Sequence, residues 1–136
     1  MKEWILPTSL SLLAWGLWAY LPKIATRYVD PKSAMVYQVL GGVLIGLGFL
    51  IVLKFRVEFN LPGFSYNLVI GLLGFSGAFM YLVAVSKGPL TLVTPITALY
   101  PMLAIILGFV FLNEAISLKQ GVGIAMSLVA IYLIST

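Results

Sequence analysis

The sequence predicts an all-α integral membrane protein, a bundle of five transmembrane helices. Three observations lead there. Of its 136 residues, 62% are hydrophobic and 9% charged, against about 45–50% and about 25% in a soluble domain; too few charges remain to coat a globule. Five long apolar runs recur, each near the roughly 20 residues that a helical span requires, which leaves no space for a separate soluble domain. None of the runs alternates polar and apolar positions, and open strand edges find no hydrogen-bond partners in a bilayer.

The first run covers 4–21, with Pro7 in its opening turn, where a missing N–H does little harm. A basic residue precedes it, as in a signal peptide. No small-x-small cleavage site follows, since the chain continues Leu21-Pro22-Lys23-Ile24, and four more spans come after, so the run reads as a retained helix. Pro22 to Tyr28 is a candidate continuation past a kink. Asp30-Pro31 then supplies an N-cap followed by proline at the first helical position, and the second span covers 34–53. The connection Lys54 to Ser65 is the longest, punctuated by Pro62-Gly63. The third span is 66–86, closed by the tight break Lys87-Gly88-Pro89, and the fourth is 92–112. Ser117-Leu118-Lys119-Gln120 has the form of a capping box, placing the fifth span at 118–134. The whole chain, 1–136, reads as a single transmembrane domain.

Glycines fall where helices must approach closely: Gly41, Gly42, Gly46 and Gly48 in the second span, Gly71, Gly74 and Gly77 in the third, Gly121 and Gly123 with Ser127 in the fifth. In lipid, small residues that admit close backbone contact drive helix association. They serve packing within one subunit or, on the fifth helix, a subunit interface.

Absences exclude chemistry. With no Cys and no His, there is no disulfide, thiolate nucleophile, imidazole base or His-ligated metal. The acids Glu3, Asp30, Glu58 and Glu114 lie outside the longest apolar runs. No catalytic residue, metal site or cofactor is indicated. An intramembrane enzyme would need a nucleophile–base pair that this chain lacks. The eight basic residues are scattered rather than clustered, so nucleic acid is not an expected partner, and they read as membrane-interface anchors. Five spans place Lys2, Lys54, Arg56 and Lys119 on one side and Lys23, Arg27, Lys32 and Lys87 on the other. Orientation normally follows an asymmetry in Lys and Arg, and this balance supplies none. Either other features fix the insertion, or the chain inserts both ways up.

Several residues within the runs are candidates for binding a solute: Trp15, Lys23, Tyr81, Thr94, Thr97 and Tyr100. Lys23 is the most deeply placed base, and an ionisable group in a span is a functional candidate by default, although at a span's end it also snorkels naturally to the interface. Trp15 and Trp18 lie away from the usual interfacial belt, facing either a cavity or packing. Thr94, Thr97 and Pro101 fall within about 60° on one helix face. Their alternative is that threonine hydroxyls bond back to their own helix. Tyr37, Gln38, Tyr81 and Tyr100 are further polar tips in apolar runs. Glu114, three residues before Ser117, reads as shaping the turn into the last helix.

The order Tyr81, Ala84, Gly88-Pro89, Pro95, Pro101, Glu114 and Gly121, with Trp15-Gly16 and Lys23 before it, resembles the EamA domain of the drug/metabolite transporter superfamily over essentially the whole chain. Most members carry two such five-helix repeats in inverted orientation, a construction suited to alternating access; this chain has one. The resemblance implies a multi-pass plasma-membrane transporter of a small organic solute, in contact with membrane lipid. It also implies a partner repeat, which an antiparallel homodimer would supply. The rival reading is a non-transporting scaffold or an assembly partner of another transporter. Small multidrug-resistance proteins, distant relatives in the same superfamily, use a carboxylate buried in helix one. Here the centre of that helix is Leu12-Leu13-Ala14-Trp15, so transport without obligatory proton coupling is expected.

Overall fold

The computed structural model describes residues 3–135 and the side chains of 3–134. Lys2, one of the bases in the charge balance, and Thr136, the last residue, lie outside the described residues. The chain is 81% helical, with no strand among the described residues. Six helices follow in order: α1 (Ile5–Ala25), α2 (Pro31–Val52), α3 (Leu61–Lys87), α4 (Leu90–Thr97), α5 (Tyr100–Phe111) and α6 (Leu118–Ser135).

The helices α1, α2, α3 and the segment Leu90–Phe111 are each long and apolar enough to cross a membrane, and Leu118–Ile134 is a shorter apolar helix. Their large apolar side chains stay exposed, Leu12, Leu44, Phe49, Leu73 and Phe111 among them. A helix apolar on all sides and uncovered by protein belongs in hydrocarbon. The fold is an all-α, multi-pass membrane bundle.

Local chemistry explains the boundaries. At α2, the Asp30 carboxylate accepts from the backbone N–H of Lys32 at 2.9 Å and of Ser33 at 3.2 Å, and from the Ser33 hydroxyl at 2.6 Å. These bonds, the Ser33 hydroxyl first, hold the Asp30 carboxyl below the usual carboxylate range. Helix α3 starts five residues earlier than the sequence suggested, because Asn60 Oδ1 caps the N–H of Gly63 at 3.1 Å. Pro62 then sits in a first turn, where its missing N–H is harmless. Likewise α1 runs through Pro22 to Ala25. Helix α2 ends without glycine. Phe55 N–H bonds the Leu50 carbonyl and Lys54 N–H that of Ile51, both at 2.9 Å, which is a Schellman motif with Lys54 at φ 50° and Phe55 at φ 59°. The fourth apolar run forms two helices, α4 and α5. Pro101 has no N–H for the Thr97 carbonyl, and the chain turns at Ala98-Leu99 through a tighter Leu99-to-Ile96 bond of 3.2 Å. Ser117 and Gln120 form the reciprocal box at α6: Ser117 N–H donates to Gln120 Oε1 at 2.8 Å, and Gln120 N–H to Ser117 Oγ at 3.3 Å.

The chain divides into two compact units, Met1–Lys87 and Gly88–Thr136. In the first, α3 packs against α1 and α2. Its buried core is Ala34, Ala78, Tyr81, Leu82 and Val85, so the contact lies where α1 ends, α2 begins and α3 ends. Farther along, the Phe75 ring covers Gly42, where an added Cβ would meet it at 3.2 Å. In the second unit, α6 packs against α4.

Candidate solute-binding site

The best-formed polar arrangement of the first unit joins α1 to α3. Ala19 and Lys23 are one turn apart on α1, and Tyr81 and Val85 one turn apart on α3, so each pair shares a face of its helix. The Tyr81 ring stacks on Trp18 with centroids 5.5 Å apart and planes at 24°, and its hydroxyl donates to the Ala19 carbonyl at 2.7 Å. Lys23 Nζ donates to the Val85 carbonyl at 2.7 Å. That carbonyl is special. The residue one turn on is Pro89, which has no N–H to give, and Val85 is 0% exposed, so water cannot take the place of the missing donor. A cation at a helix C-terminus also meets the favourable end of the macrodipole.

Trp18, fixed from behind by Tyr81, forms a wall of two clefts. One, of about 290 Å³, is lined by Trp18, Gln38, Gly71, Gly74, Phe75 and Ala78. The other, also about 290 Å³, is lined by Trp18, Leu21, Pro22, Ala25, Tyr37 and Gln38 with Val29 and Ala34. Gly71 and Gly74 keep the first open, since a Cβ on either would meet nothing within 4 Å. No formally charged side chain lines either cleft; the chemistry on offer is aromatic faces and one carboxamide. A third groove, lined by Asn67, Leu68, Gly71, Leu72, Phe75 and Ser76, runs along α3 alone and has no facing wall.

The six sequence candidates are distributed as follows. Lys23 and Tyr81 come together in the α1–α3 layer. Trp15 is 62% exposed and lines neither cleft. Thr94, Thr97 and Tyr100 belong to the second unit: Thr94 is half-buried, Thr97 Oγ1 donates to the Val93 and Thr94 carbonyls, each at 2.9 Å, and Tyr100 is 64% exposed. Glu114 folds over Gly108. The residues common to both clefts are Trp18 and Gln38. Their signals were in the sequence, a carboxamide alone in a span and a tryptophan four residues before Pro22, but spacing does not rank Trp18 above Trp15.

The family described as the EamA-like transporter family matches residues 2–136. This chain belongs to that family. The EamA-like chain is 34% identical over 144 residues to a WAT1-related chloroplastic protein of Arabidopsis thaliana, covering 98% of this chain and 33% of that protein. It is 32% identical over 137 residues to an uncharacterized transporter of Synechocystis, covering 97% of this chain and 40% of the relative. The chain thus spans a third to two-fifths of the length of these two relatives. An uncharacterized protein of Methanocaldococcus jannaschii is 23% identical over 121 residues, 89% of this chain and 88% of its own length. No solved structure matches. Residues that carried the EamA resemblance in the sequence now have a physical setting: Lys23 satisfies the carbonyl that Pro89 leaves open, and Tyr81 braces Trp18.

Proposed function

We propose that this chain is one half of a membrane transporter for a small, uncharged, flat organic solute. In this reading it acts as a single five-span domain of the plasma membrane and pairs with an antiparallel copy of itself to give alternating access. The observation that carries the proposal is the family match over nearly the whole chain, with two relatives of which the matched region covers a third to two-fifths. The balanced Lys and Arg count supports insertion in both orientations, and inverted repeats place a solute site at their interface.

The solute class follows from the clefts of the first unit. Trp18, Tyr37 and Phe75 offer ring faces, Gln38 offers one donor and one acceptor, and the absence of a lining charge disfavours ions. The proposal assigns Tyr81 to the support of Trp18 and Lys23 to holding α1 against the end of α3; Trp15 on α1 and, within the second unit, Thr94, Thr97 and Tyr100 are separate candidates for touching a solute. No catalytic step is proposed.

The test is uptake of radiolabelled neutral aromatic solutes into proteoliposomes, with and without a pH gradient. Trp18→Ala and Gln38→Leu are each expected to lower the initial rate at least tenfold, and the gradient to leave it unchanged. Orientation is read in the same vesicles. The chain has no cysteine, so a single Glu58→Cys is labelled by an impermeant maleimide to about half its total if insertion is dual. Labelling from one side only removes the antiparallel dimer. Failure of every solute to move, in folded protein, leaves the scaffold reading.

A further inference from the structure

The second unit contains a cleft that the uncharged-solute reading does not use. It holds about 430 Å³, inside the range of about 300–1,000 Å³ typical of small-molecule sites. Glu114, Gln120 and Ser127 line it together with apolar Ile105, Phe109 and Ile124. A carboxylate in its lining distinguishes it from the two clefts around Trp18.

The carboxylate is placed against the end of α5. Its Oε2 lies 3.1 Å from the point where a Cβ on Gly108 would stand, so the carboxylate folds back closely over that glycine. The carbonyls of the last α5 turn gather the negative end of that helix's dipole, and a carboxylate laid beside them meets charge of its own sign. Among the described residues no hydrogen bond or ion pair reaches the Glu114 carboxylate. The neighbouring oxygens are also acceptors. Ser127 Oγ gives its proton to the Ile124 carbonyl at 2.7 Å, which leaves its oxygen able to accept a further hydrogen bond. Gln120 Oε1 is fixed by the N–H and hydroxyl of Ser117, at 2.8 and 2.7 Å. Glu114 and Gln120 are exposed, so these oxygens face an open cleft in which a cation can reach them. A metal ion is a poor fit, because no group of three His, Cys, Asp or Glu residues exists among the described residues, and hard cations take several oxygen ligands. The hydrocarbon walls instead suit an ammonium carried on an apolar body.

We propose that this cleft binds an amphipathic organic ammonium ion, with its N–H groups on the Glu114 carboxylate and the Ser127 hydroxyl and its hydrocarbon part against Phe109 and Ile124. All of its lining residues belong to the second unit.

The experiment is calorimetric titration of the full chain in lipid nanodiscs with 2-phenylethylammonium, against 2-phenylethanol as a neutral probe of the same shape and empty nanodiscs as the blank for lipid partitioning. The wild type is expected to prefer the ammonium over the alcohol by at least tenfold. Glu114→Gln should abolish that preference, Gly123→Leu should fill the cleft and remove binding of both probes, and Glu58→Gln should change nothing. Equal binding of both probes to the wild type overturns the proposal without needing any variant to fold. So does undiminished ammonium preference in folded Glu114→Gln, or an equal loss in Glu58→Gln.

Discussion

Replacing Lys23 with methionine isolates the contact that holds α1 to the end of α3. The substitution keeps a long flexible apolar stem and removes the ammonium that donates to the Val85 carbonyl at 2.7 Å. A hydrogen bond to a charged group contributes about 1.5–3 kcal/mol, and a buried acceptor left without a donor costs a similar amount. Both apply here, because Pro89 has no N–H and Val85 is fully buried. The expected loss is about 2–3 kcal/mol, a change of about 30- to 150-fold in the unfolding equilibrium. Tyr81→Phe supplies the comparison. Its hydroxyl also donates at 2.7 Å to a carbonyl, that of Ala19, but inside α1 that carbonyl has the Lys23 N–H one turn on as its regular helical partner. Removing the hydroxyl therefore leaves the Ala19 carbonyl with a donor, and about 0.5–1.5 kcal/mol is expected. Reversible unfolding in mixed micelles, followed by loss of helix signal, measures both, with exposed Lys32→Met as the control for losing a lysine. A Lys23→Met cost no larger than that of Lys32→Met, or smaller than that of Tyr81→Phe, would refute the argument from Pro89.

Further outcomes follow from local geometry. Lys54 sits at φ 50° in the Schellman position after α2, where a side chain costs about 1–2 kcal/mol; Lys54→Gly is expected to stabilise by about 1 kcal/mol in the same unfolding assay. Gly42→Leu forces the Phe75 ring aside and should destabilise by about 1–3 kcal/mol, whereas Gly41→Leu, with nothing within 4 Å of its Cβ, should stay within about 0.5 kcal/mol. Asp30 titrates lower in the folded chain than in the unfolded one. Its contribution is therefore complete above the ordinary value of about 3.9 and disappears as the pH falls through the lower folded value. Unfolding midpoints across that window should show a slope that Asp30→Asn, which still caps but does not titrate, reduces.

Composition alone determined the class of this protein. Sixty-two per cent hydrophobic residues with nine per cent charged leave lipid as the only solvent for five apolar runs, and in lipid the backbone must satisfy itself in helices. The caps at Asp30 and Ser117 were legible because each is a local bargain between a side chain and N–H groups two or three residues away. The start of α3 was not, since Asn60-Leu61-Pro62-Gly63 reads equally as a turn or as a capped first turn, and only the hydrogen bond from Gly63 decides. The fourth run read as one span, 92–112, because whether the carbonyl that Pro101 frees kinks a helix or divides it depends on the bonds the turn then makes. Lys23 shows the limit most plainly. From sequence it is a base at the end of a span, open to snorkelling or to solute, while the Val85 carbonyl that it meets lies 62 residues away. Helical periodicity places residues on faces within one helix and carries no information about which faces meet. Tertiary packing alone brought Lys23 to the carbonyl that Pro89 leaves open, set Tyr81 behind Trp18 rather than Trp15, and laid Glu114 over Gly108.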